Sequence, residues 1–408
     1  MYHDFTYYTP TRIVFGKNSL RQLGSLVRSY GGTKVLLHYG GGSVIRSGLL
    51  QRVKTILDEA GISHVELGGV VPNPRLSKVY EGIDLCRRKQ VDFILAVGGG
   101  SVCDSAKGIA YGLANEGDVW NFYLKKRHPE AIAPLGVVIT LAATGSEMSN
   151  SSVITKELPA EDLKDGAKLN GIKRGCSSDL GRPLFSVMDP SLTTTLPDYQ
   201  TFAGASDILM HTFERYFDIN GTMELTDAVA EGLIRTVLGA SLRLKEDPSD
   251  YQARADLFWA GSLSHNGLTG CGGTGGDWSC HKLEHELSGM FDVTHGAGLA
   301  AIWGTWARYV NRNNGCAAVW ERFERFARNV HGISEETQEK TIEAGIRAQE
   351  DFFRSIGMPV SLGQLGIQPT EEQIKIMAQR CAEGVGGSCG SMMKLRRKEM
   401  EEIYRLAL

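Results

Sequence analysis

The chain has 408 residues, 42% hydrophobic and 22% charged, with 44 Lys and Arg against 47 Asp and Glu, a formal net charge of -3. That length points to two domains, or one large domain with insertions, and the interspersed charge lacks the basic run of a nucleic-acid or anionic-membrane binder. The opening MYHDFTYYTPTRIVFG has no basic stretch followed by an apolar one, no segment is long and apolar enough to span a bilayer, and the eight cysteines form no CxxC pair; a reducing, cytoplasmic setting is expected.

From the start to about Asp189, short β-rich runs alternate with amphipathic helical stretches, the order of a parallel sheet flanked by helices. TKVLLHYG (33–40), HVELGGVV (64–71), DFILAVGGG (92–100), LGVVITLA (135–142) and LFSVMDP (184–190) read as strands. LLQRVKTILDEAG and LSKVYEGIDLCRRKQ, between them, space their apolar residues helically. Residues 1–189 are therefore expected to form an α/β, Rossmann-like nucleotide-binding domain.

Four segments at strand ends are candidates for holding the nucleotide. The first strand ends in Gly40, Gly41, Gly42 and Ser43, with Arg46 shortly after. A protein that selects NAD often places an acid at this point for the adenosine ribose. None stands here, and small residues beside Arg46 leave room and positive charge for a 2′-phosphate, so NADP(H) is expected over NAD(H). The second segment, VVPNP, offers Asn73. In the third, an apolar strand runs into Gly98, Gly99, Gly100 and Ser101 and then a helix, a phosphate cradle of glycine backbone and helix N–H groups. Asp104 follows on that helix, placed to reach a ribose or a nicotinamide carboxamide. The fourth, TLAATGSE, contributes Thr140 and Thr144. The usual GxGxxG fingerprint is absent.

After Asp189 the β-branched runs stop, and segments such as YQTFAGASDILMHTFERYFD and VWERFERFARNVHG carry helical periodicity. Residues 190–408 are expected to be all helix, with loops at GLTGCGGTGGD and GVGGSCGS. Five of the ten histidines lie between positions 211 and 295. Asp207 and His211 are four apart and share a helix face, as do His281 and His285; His295 follows a short break. A carboxylate with imidazoles suits Fe(II), Zn(II) or a similar ion that keeps a position open for Lewis-acid chemistry. The HExxH order of zinc peptidases is not present, and His265 fits no such pairing.

These segments together resemble the iron-containing (group III) alcohol dehydrogenases, in particular their butanol dehydrogenase and NADPH-dependent aldehyde reductase branch. The resemblance spans nearly the whole chain and is carried by VFGKNSL, YGGGS, VVPNP, GGGSVCDSAK, TLAATGSE, MDPSLTTTLP, DILMHTFE and HKLEHELSGMFDVTHGAGLA. It implies a dehydroquinate synthase-like fold, an α/β nucleotide-binding domain followed by an all-α metal-binding and catalytic domain. It implies one metal held by Asp207, His211, His281 and His295, Fe(II) before Zn(II), with His285 a non-ligand histidine suited to proton relay. NADP(H), small or medium-chain alcohols and aldehydes, and a homodimer also follow from it. The stretch between the GSE and MDP motifs departs in detail from the relatives; a cofactor-contacting lysine is expected there, Lys173 first and Lys168 second. Two other readings stay open: a metal- and nicotinamide-dependent lyase of the dehydroquinate synthase type, and a non-catalytic nucleotide-binding relative.

Overall fold

A computed structural model describes residues 2–158, 171–221 and 223–408; Lys168 lies outside them. The described residues form two compact units, an α/β unit of residues 8–158 and 171–196 and a helical unit of residues 2–7, 197–221 and 223–408.

The α/β unit contains strands β1 (Arg12–Phe15), β2 (Lys34–Gly40), β3 (Ser63–Val70), β4 (Phe93–Gly98), β5 (Leu135–Ile139), β6 (Ser151–Glu157), β7 (Gly171–Ser177) and β8 (Phe185–Met188). Its helices are α1 (Leu23–Ser29), α2 (Ser43–Arg46), α3 (Leu49–Glu59), α4 (Leu76–Lys89), α5 (Gly100–Ala114) and α6 (Trp120–Tyr123). Six strands make a parallel sheet in the order β1-β8-β5-β4-β2-β3, and β6 pairs antiparallel with β7. The five strands expected from sequence are all present. Every residue of β4 and β5 is buried, as expected for strands covered on both faces and written as continuous apolar runs.

The chain steps outward from β2 to β3, then crosses back to β4 on the other side of β2. This reversal opens a crevice at the carboxyl ends of the strands, where open α/β sheets bind ligands. The register puts Gly40 opposite Val70, Tyr39 opposite Val97 and Gly98 opposite Ile139. The turns after β2, β3, β4 and β5 thus leave the sheet at one edge.

The helical unit holds α7 (Asp198–Tyr216), α8 (Glu224–Glu246), α9 (Tyr251–His265), α10 (Ser279–Phe291), α11 (His295–Asn313), α12 (Ala317–His331), α13 (Gln338–Ser355), α14 (Glu371–Gly384) and α15 (Arg397–Leu406). Apart from a short 3-10 turn at Leu268–Gly270, its named elements are these α-helices, as the periodicity predicts. Phe213, Phe217, Trp303, Trp306, Phe323 and Phe326 form its aromatic core, with ring centroids such as Phe213 to Phe326 at 5.2 Å and Phe217 to Phe323 at 4.5 Å. Those rings lie on α7, α11 and α12 or just beyond α7, and they fix α7 against α11 through desolvated apolar area.

Candidate functional site

In the helical unit, α7, α10 and α11 each present one side to a common buried point. Ligand atoms of Asp207, His281 and His295 all lie within 4.8 Å of one another, with His295 Nε2 at 3.7 Å from Asp207 Oδ1. Asp207 and His281 are buried, and His295 is half-buried. His211 stands at the edge of this group rather than within it. Its ring meets that of His281 edge-on at 4.4 Å and lies 6.5 Å from that of His295.

Helix α11 reaches this point because its first turn reads HGAG. A Cβ on Gly296 would run into the carbonyl oxygen of Ala203 and sit 3.2 Å from Asp207 Cβ. Only glycine lets α11 come so close to the ligand-bearing turn of α7.

The three imidazoles are turned the same way. His211 Nδ1 lies 3.0 Å from the Asp207 carbonyl oxygen and 3.1 Å from its carboxylate. His281 Nδ1 lies 2.8 Å from Glu214 Oε1, which also accepts the His281 backbone N–H at 2.9 Å. His295 Nδ1 bonds Glu284 Oε2. An Nδ1–H donated to an oxygen leaves Nε2 as the lone-pair nitrogen, the form in which imidazole binds a metal.

His281 Nε2 is buried with no hydrogen-bond partner among the described residues. Burial first, then neighbouring His211, His295, His285 and His265, holds the His281 pKa far below its ordinary value, so the ring is neutral. A buried nitrogen lone pair without a donor costs about 1–3 kcal/mol. A divalent cation removes that cost, and the donor set of one carboxylate with neutral imidazoles fits such an ion.

His285, on the same face of α10 as His281, has its ring 5.8 Å from that of His295. Ligand atoms of Glu284, His285 and His295 also lie within 4.8 Å of one another. Since Glu284 already bonds His295 Nδ1, this second group is a holder with a neighbouring imidazole rather than a second cation site. The ring of Trp278 lies 5.3 Å from that of His281 and beneath the Arg215 guanidinium at 4.7 Å. His265, unassigned by spacing, packs at 4.2 Å against His211 and bonds Arg215 through Nδ1 at 3.1 Å.

In the α/β unit, the turns after β2, β3, β4 and β5 that carry the expected nucleotide-binding segments leave the same sheet edge. Gly98 ends β4, Gly99 caps α5, and Gly100 and Ser101 open that helix. A Cβ on Gly100 would collide with Thr144 Oγ1, so the turns after β4 and β5 are packed together by a glycine. Asn73 adopts a left-handed φ of 53° and accepts a hydrogen bond from Lys173 Nζ at 3.0 Å. That contact exists because β6 docks beside the turn after β3, with Thr155 N–H donating to Pro74 O at 2.8 Å. Lys173, opposite Thr155 on β7, is carried in with it.

Asp104 accepts from the Ser146 hydroxyl and from the Val153 N–H at 3.0 Å. Burial raises its pKa, against the opposing pull of Lys107. A carboxylate still has lone pairs for a further donor after two such bonds. Lys107, by contrast, is fully buried and bonds Ser149 O at 2.9 Å and Ser151 O at 2.7 Å, which pins α5 to the segment leading into β6. After β2, Gly40 to Ser43 are followed by α2, and Arg46 folds back so that its Nη1 lies 2.5 Å from where a Gly42 Cβ would stand.

Residues 10–190 match the model for iron-containing alcohol dehydrogenase, and residues 201–408 match that for the C-terminal part of the Fe-containing alcohol dehydrogenase family. The chain belongs to the iron-containing alcohol dehydrogenase family. Within this family it falls in the butanol dehydrogenase and aldehyde reductase branch, and it is an alcohol/aldehyde oxidoreductase that uses a nicotinamide cofactor.

Among the relatives of this alcohol dehydrogenase is NADH-dependent butanol dehydrogenase A of Clostridium acetobutylicum, 37% identical over 98% of this chain and 99% of that protein. Another is the NADPH-dependent aldehyde reductase YqhD of Escherichia coli, 33% identical over 90% of each. A crystal structure of NADH-dependent butanol dehydrogenase A from Thermotoga maritima is similar with a TM-score of 0.91 and 39% identity, covering 99% of this chain and 98% of that one. The lyase and non-catalytic readings left open by the sequence find no support in these relatives.

Sequence reasoning passed over Glu214 and Glu284, the two acids that hold the imidazoles of His281 and His295. Both carry a signal: each stands three residues after a candidate ligand, Glu214 after His211 and Glu284 after His281.

Proposed function

We propose that this alcohol dehydrogenase acts chiefly as a reductase of small and medium-chain aldehydes, with NADP(H) preferred over NAD(H) and one divalent ion, Fe(II) before Zn(II), held by Asp207, His211, His281 and His295. The observation that carries the metal reading is the buried His281 Nε2, without a hydrogen-bond partner among the described residues, in a group with Asp207 and His295. His211 would supply the fourth position from its place against His281.

When bound, the ion supplies Lewis-acid stabilisation of negative charge on the substrate oxygen, and the nicotinamide supplies the hydride. The residues do the rest. Glu214, Glu284 and the Asp207 carbonyl keep the three Nε2 atoms available. Burial keeps His281 neutral, and Trp278 provides an apolar wall beside it. His285, next to His295, is suited to deliver the proton that completes the alcohol.

For the cofactor, the proposal assigns Gly98, Gly99, Gly100 and Ser101 to the pyrophosphate, Asn73, Asp104, Thr140, Thr144 and Lys173 to the neighbouring polar contacts, and Gly40, Gly41, Gly42, Ser43 and Arg46 to the adenosine end. The NADP(H) preference is supported by the absence of a carboxylate from position 34 to 57. It is also supported by the engagement of the acid on neighbouring β3, Glu66, with Lys54 at 2.6 Å and Tyr39 at 3.1 Å. The butanol dehydrogenases among the relatives, the more similar ones, are named for NADH, and the aldehyde reductase is named for NADPH.

A homodimer is proposed from the edge strand β1, which among the described residues pairs with β8 alone, and from exposed Tyr2, Phe5, Tyr8 and Phe15 around it in sequence. A cytoplasmic setting is supported by eight free cysteines. No helix among the described residues is long and apolar enough to cross a membrane.

The test is metal analysis of the purified chain together with turnover of an aldehyde panel under NADPH and NADH. About one ion per chain and faster turnover with NADPH are expected. Full activity in metal-free protein refutes the metal reading, and a preference for NADH refutes the cofactor reading.

A further inference from the structure

The structure assigns Glu214 and Glu284 as positioning residues that interlock the metal group, each orienting a ligand carried by the next ligand-bearing helix. This rests on the four-ligand reading and deepens it.

The arrangement is sequential. Helix α7 carries Asp207 and His211, and one turn further on carries Glu214, whose carboxylate accepts both the ring Nδ1–H and the backbone N–H of His281 on α10. Helix α10 carries His281, and three residues on carries Glu284, whose carboxylate accepts the ring Nδ1–H of His295 at the start of α11. The holders of His281 and His295 thus lie on a different helix from the ligand each one orients. A shift of one helix is transmitted to the donor nitrogen of the next.

Each holder is itself held. The Ser288 hydroxyl donates to Glu284 Oε1, and α11 closes over the acid, since a Cβ on Gly298 would lie 3.0 Å from Glu284 Cγ. Glu214 is anchored through its own backbone, where its carbonyl accepts the Asp277 N–H at 2.7 Å. Asp277 in turn accepts the Ser391 and Met392 N–H groups at 2.8 Å each. Both acids are almost wholly buried.

Burying two carboxylates is costly, and a nearby positive charge lowers that cost. Placing both acids one imidazole away from a dication gives their charge a partner. The same arrangement raises the basicity of the ligating nitrogens and fixes their tautomer, which for ligating histidines is worth about 10–100-fold in metal affinity.

The test compares wild type with Glu214→Gln, Glu284→Gln, Glu214→Ala and Glu284→Ala, and with Glu231→Gln as a control. Glu231 is also buried, on α8, but its partners are Tyr216, Arg325 and Asn329. Each chain is stripped with a chelator. Zn(II) affinity is then measured by chelator competition, the visible absorption spectrum is recorded with Co(II), and the metal-free chain is melted to count folded protein.

The glutamines keep an acceptor for Nδ1–H but lose the charge, so Zn(II) binding should weaken about 10-fold; the alanines lose both and should approach 100-fold. The Co(II) bands should shift in all four variants, and Glu231→Gln should match wild type in both readouts. Wild-type affinity and an unchanged Co(II) spectrum in folded Glu214 and Glu284 variants would overturn the inference, as would equal weakening in Glu231→Gln. A wild-type chain that takes up neither ion overturns the four-ligand reading itself, and this inference with it.

Discussion

Replacing Gly296 by alanine tests the closest helix contact at the metal group. The added Cβ would enter the Ala203 carbonyl oxygen and lie 2.8 Å from its carbonyl carbon and 3.2 Å from Asp207 Cβ. The first two obstacles are backbone atoms of α7, which cannot rotate aside. Helix α11 must move outward, and clearing an overlapped oxygen takes roughly an ångström of backbone shift, an overpacking cost of about 1–3 kcal/mol. For a unit of this size each kcal/mol lowers the melting temperature by about 2–4 °C, giving a fall of roughly 2–12 °C.

The effect on the metal should be larger than the effect on folding, because His295 immediately precedes Gly296 and ligand distances tolerate only about 0.2 Å. Gly298→Ala is the internal comparison. Its Cβ meets Glu284 Cγ at 3.0 Å and Oε1 at 3.1 Å, side-chain atoms that can give way. Metal per chain and melting of the stripped protein are the assays. Gly296→Ala should lose most of its metal, and Gly298→Ala should keep more of it. A Gly296→Ala chain with wild-type metal content and melting temperature would refute the close approach of α7 and α11.

Helix α8 predicts the opposite sign. A Cβ on Gly232 or Gly239 meets nothing within 4 Å, and both lie inside the helix, so each alanine should raise stability by about 0.5–1 kcal/mol in urea melts. His38 sets a pH dependence. It is fully buried, with Nδ1 at 3.0 Å from Leu67 O and Nε2 at 2.8 Å from Ser105 Oγ, and burial lowers its pKa to about 4.

Between an unfolded pKa of 6.5 and the folded value of about 4 the unfolded chain binds more protons. Stability should therefore be level above neutrality and fall as pH drops through that window, by up to about 3 kcal/mol from this group. Replacing His38 by Gln should flatten that limb of the pH profile, and an unchanged limb in urea melts counts against it. His285→Ala should retain its metal and lose turnover, and equal loss of both would remove the proton-carrier role. Lys173→Ala should raise the Michaelis constant for the cofactor more than it lowers the limiting rate, and an unchanged constant would place the lysine outside the contact.

Legibility in the sequence followed burial pattern. Strands β4 and β5 are covered on both faces, so they are uninterrupted apolar runs, and the glycines that follow β4 mark its end without ambiguity. Asp207 and His211 were readable because a helix puts positions four apart on one face. The hairpin of β6 and β7 left almost no signal: SSVITKE and GIKRGCS mix polar, charged and small residues. Their pairing is decided by docking onto the turn after β3.

Glu214 and Glu284 were hidden for a different reason. A glutamate within a helix usually faces water, and spacing alone does not reveal that these two are buried against imidazoles of another helix. His211 illustrates the limit in the other direction. Its spacing from Asp207 is as predicted, yet one face of a helix fixes only the direction of a ring, and here Asp207 engages its Nδ1 side while its ring rests against His281.

Cofactor choice can be turned into a single substitution at the end of β2. A Cβ on Gly40 would have only ordinary contacts, with Val70 O at 3.6 Å and Val102 Cγ2 at 3.8 Å, and Gly40 is not among the glycines with positive φ. The Cβ of an aspartate therefore fits there without moving the backbone. Val102 belongs to the first turn of α5, next to the glycines proposed to hold the pyrophosphate, so the new side chain would start on the side of the sheet edge where the adenosine ribose is proposed to lie. Position 42 does not offer the same room, because the Arg46 guanidinium already occupies it.

Two charges about 4 Å apart near a protein surface interact by up to about 4 kcal/mol, and salt screening reduces this. Gly40→Asp should thus weaken NADPH by roughly 10- to 100-fold through repulsion of the 2′-phosphate, while NADH, which offers hydroxyls to the same carboxylate, is kept or improved. Arg46→Ala should move preference in the same direction by a smaller factor. The assay is the ratio of kcat/KM for NADPH and NADH with one aldehyde. If Gly40→Asp leaves that ratio unchanged in a folded, metal-loaded enzyme, the end of β2 does not read the ribose phosphate.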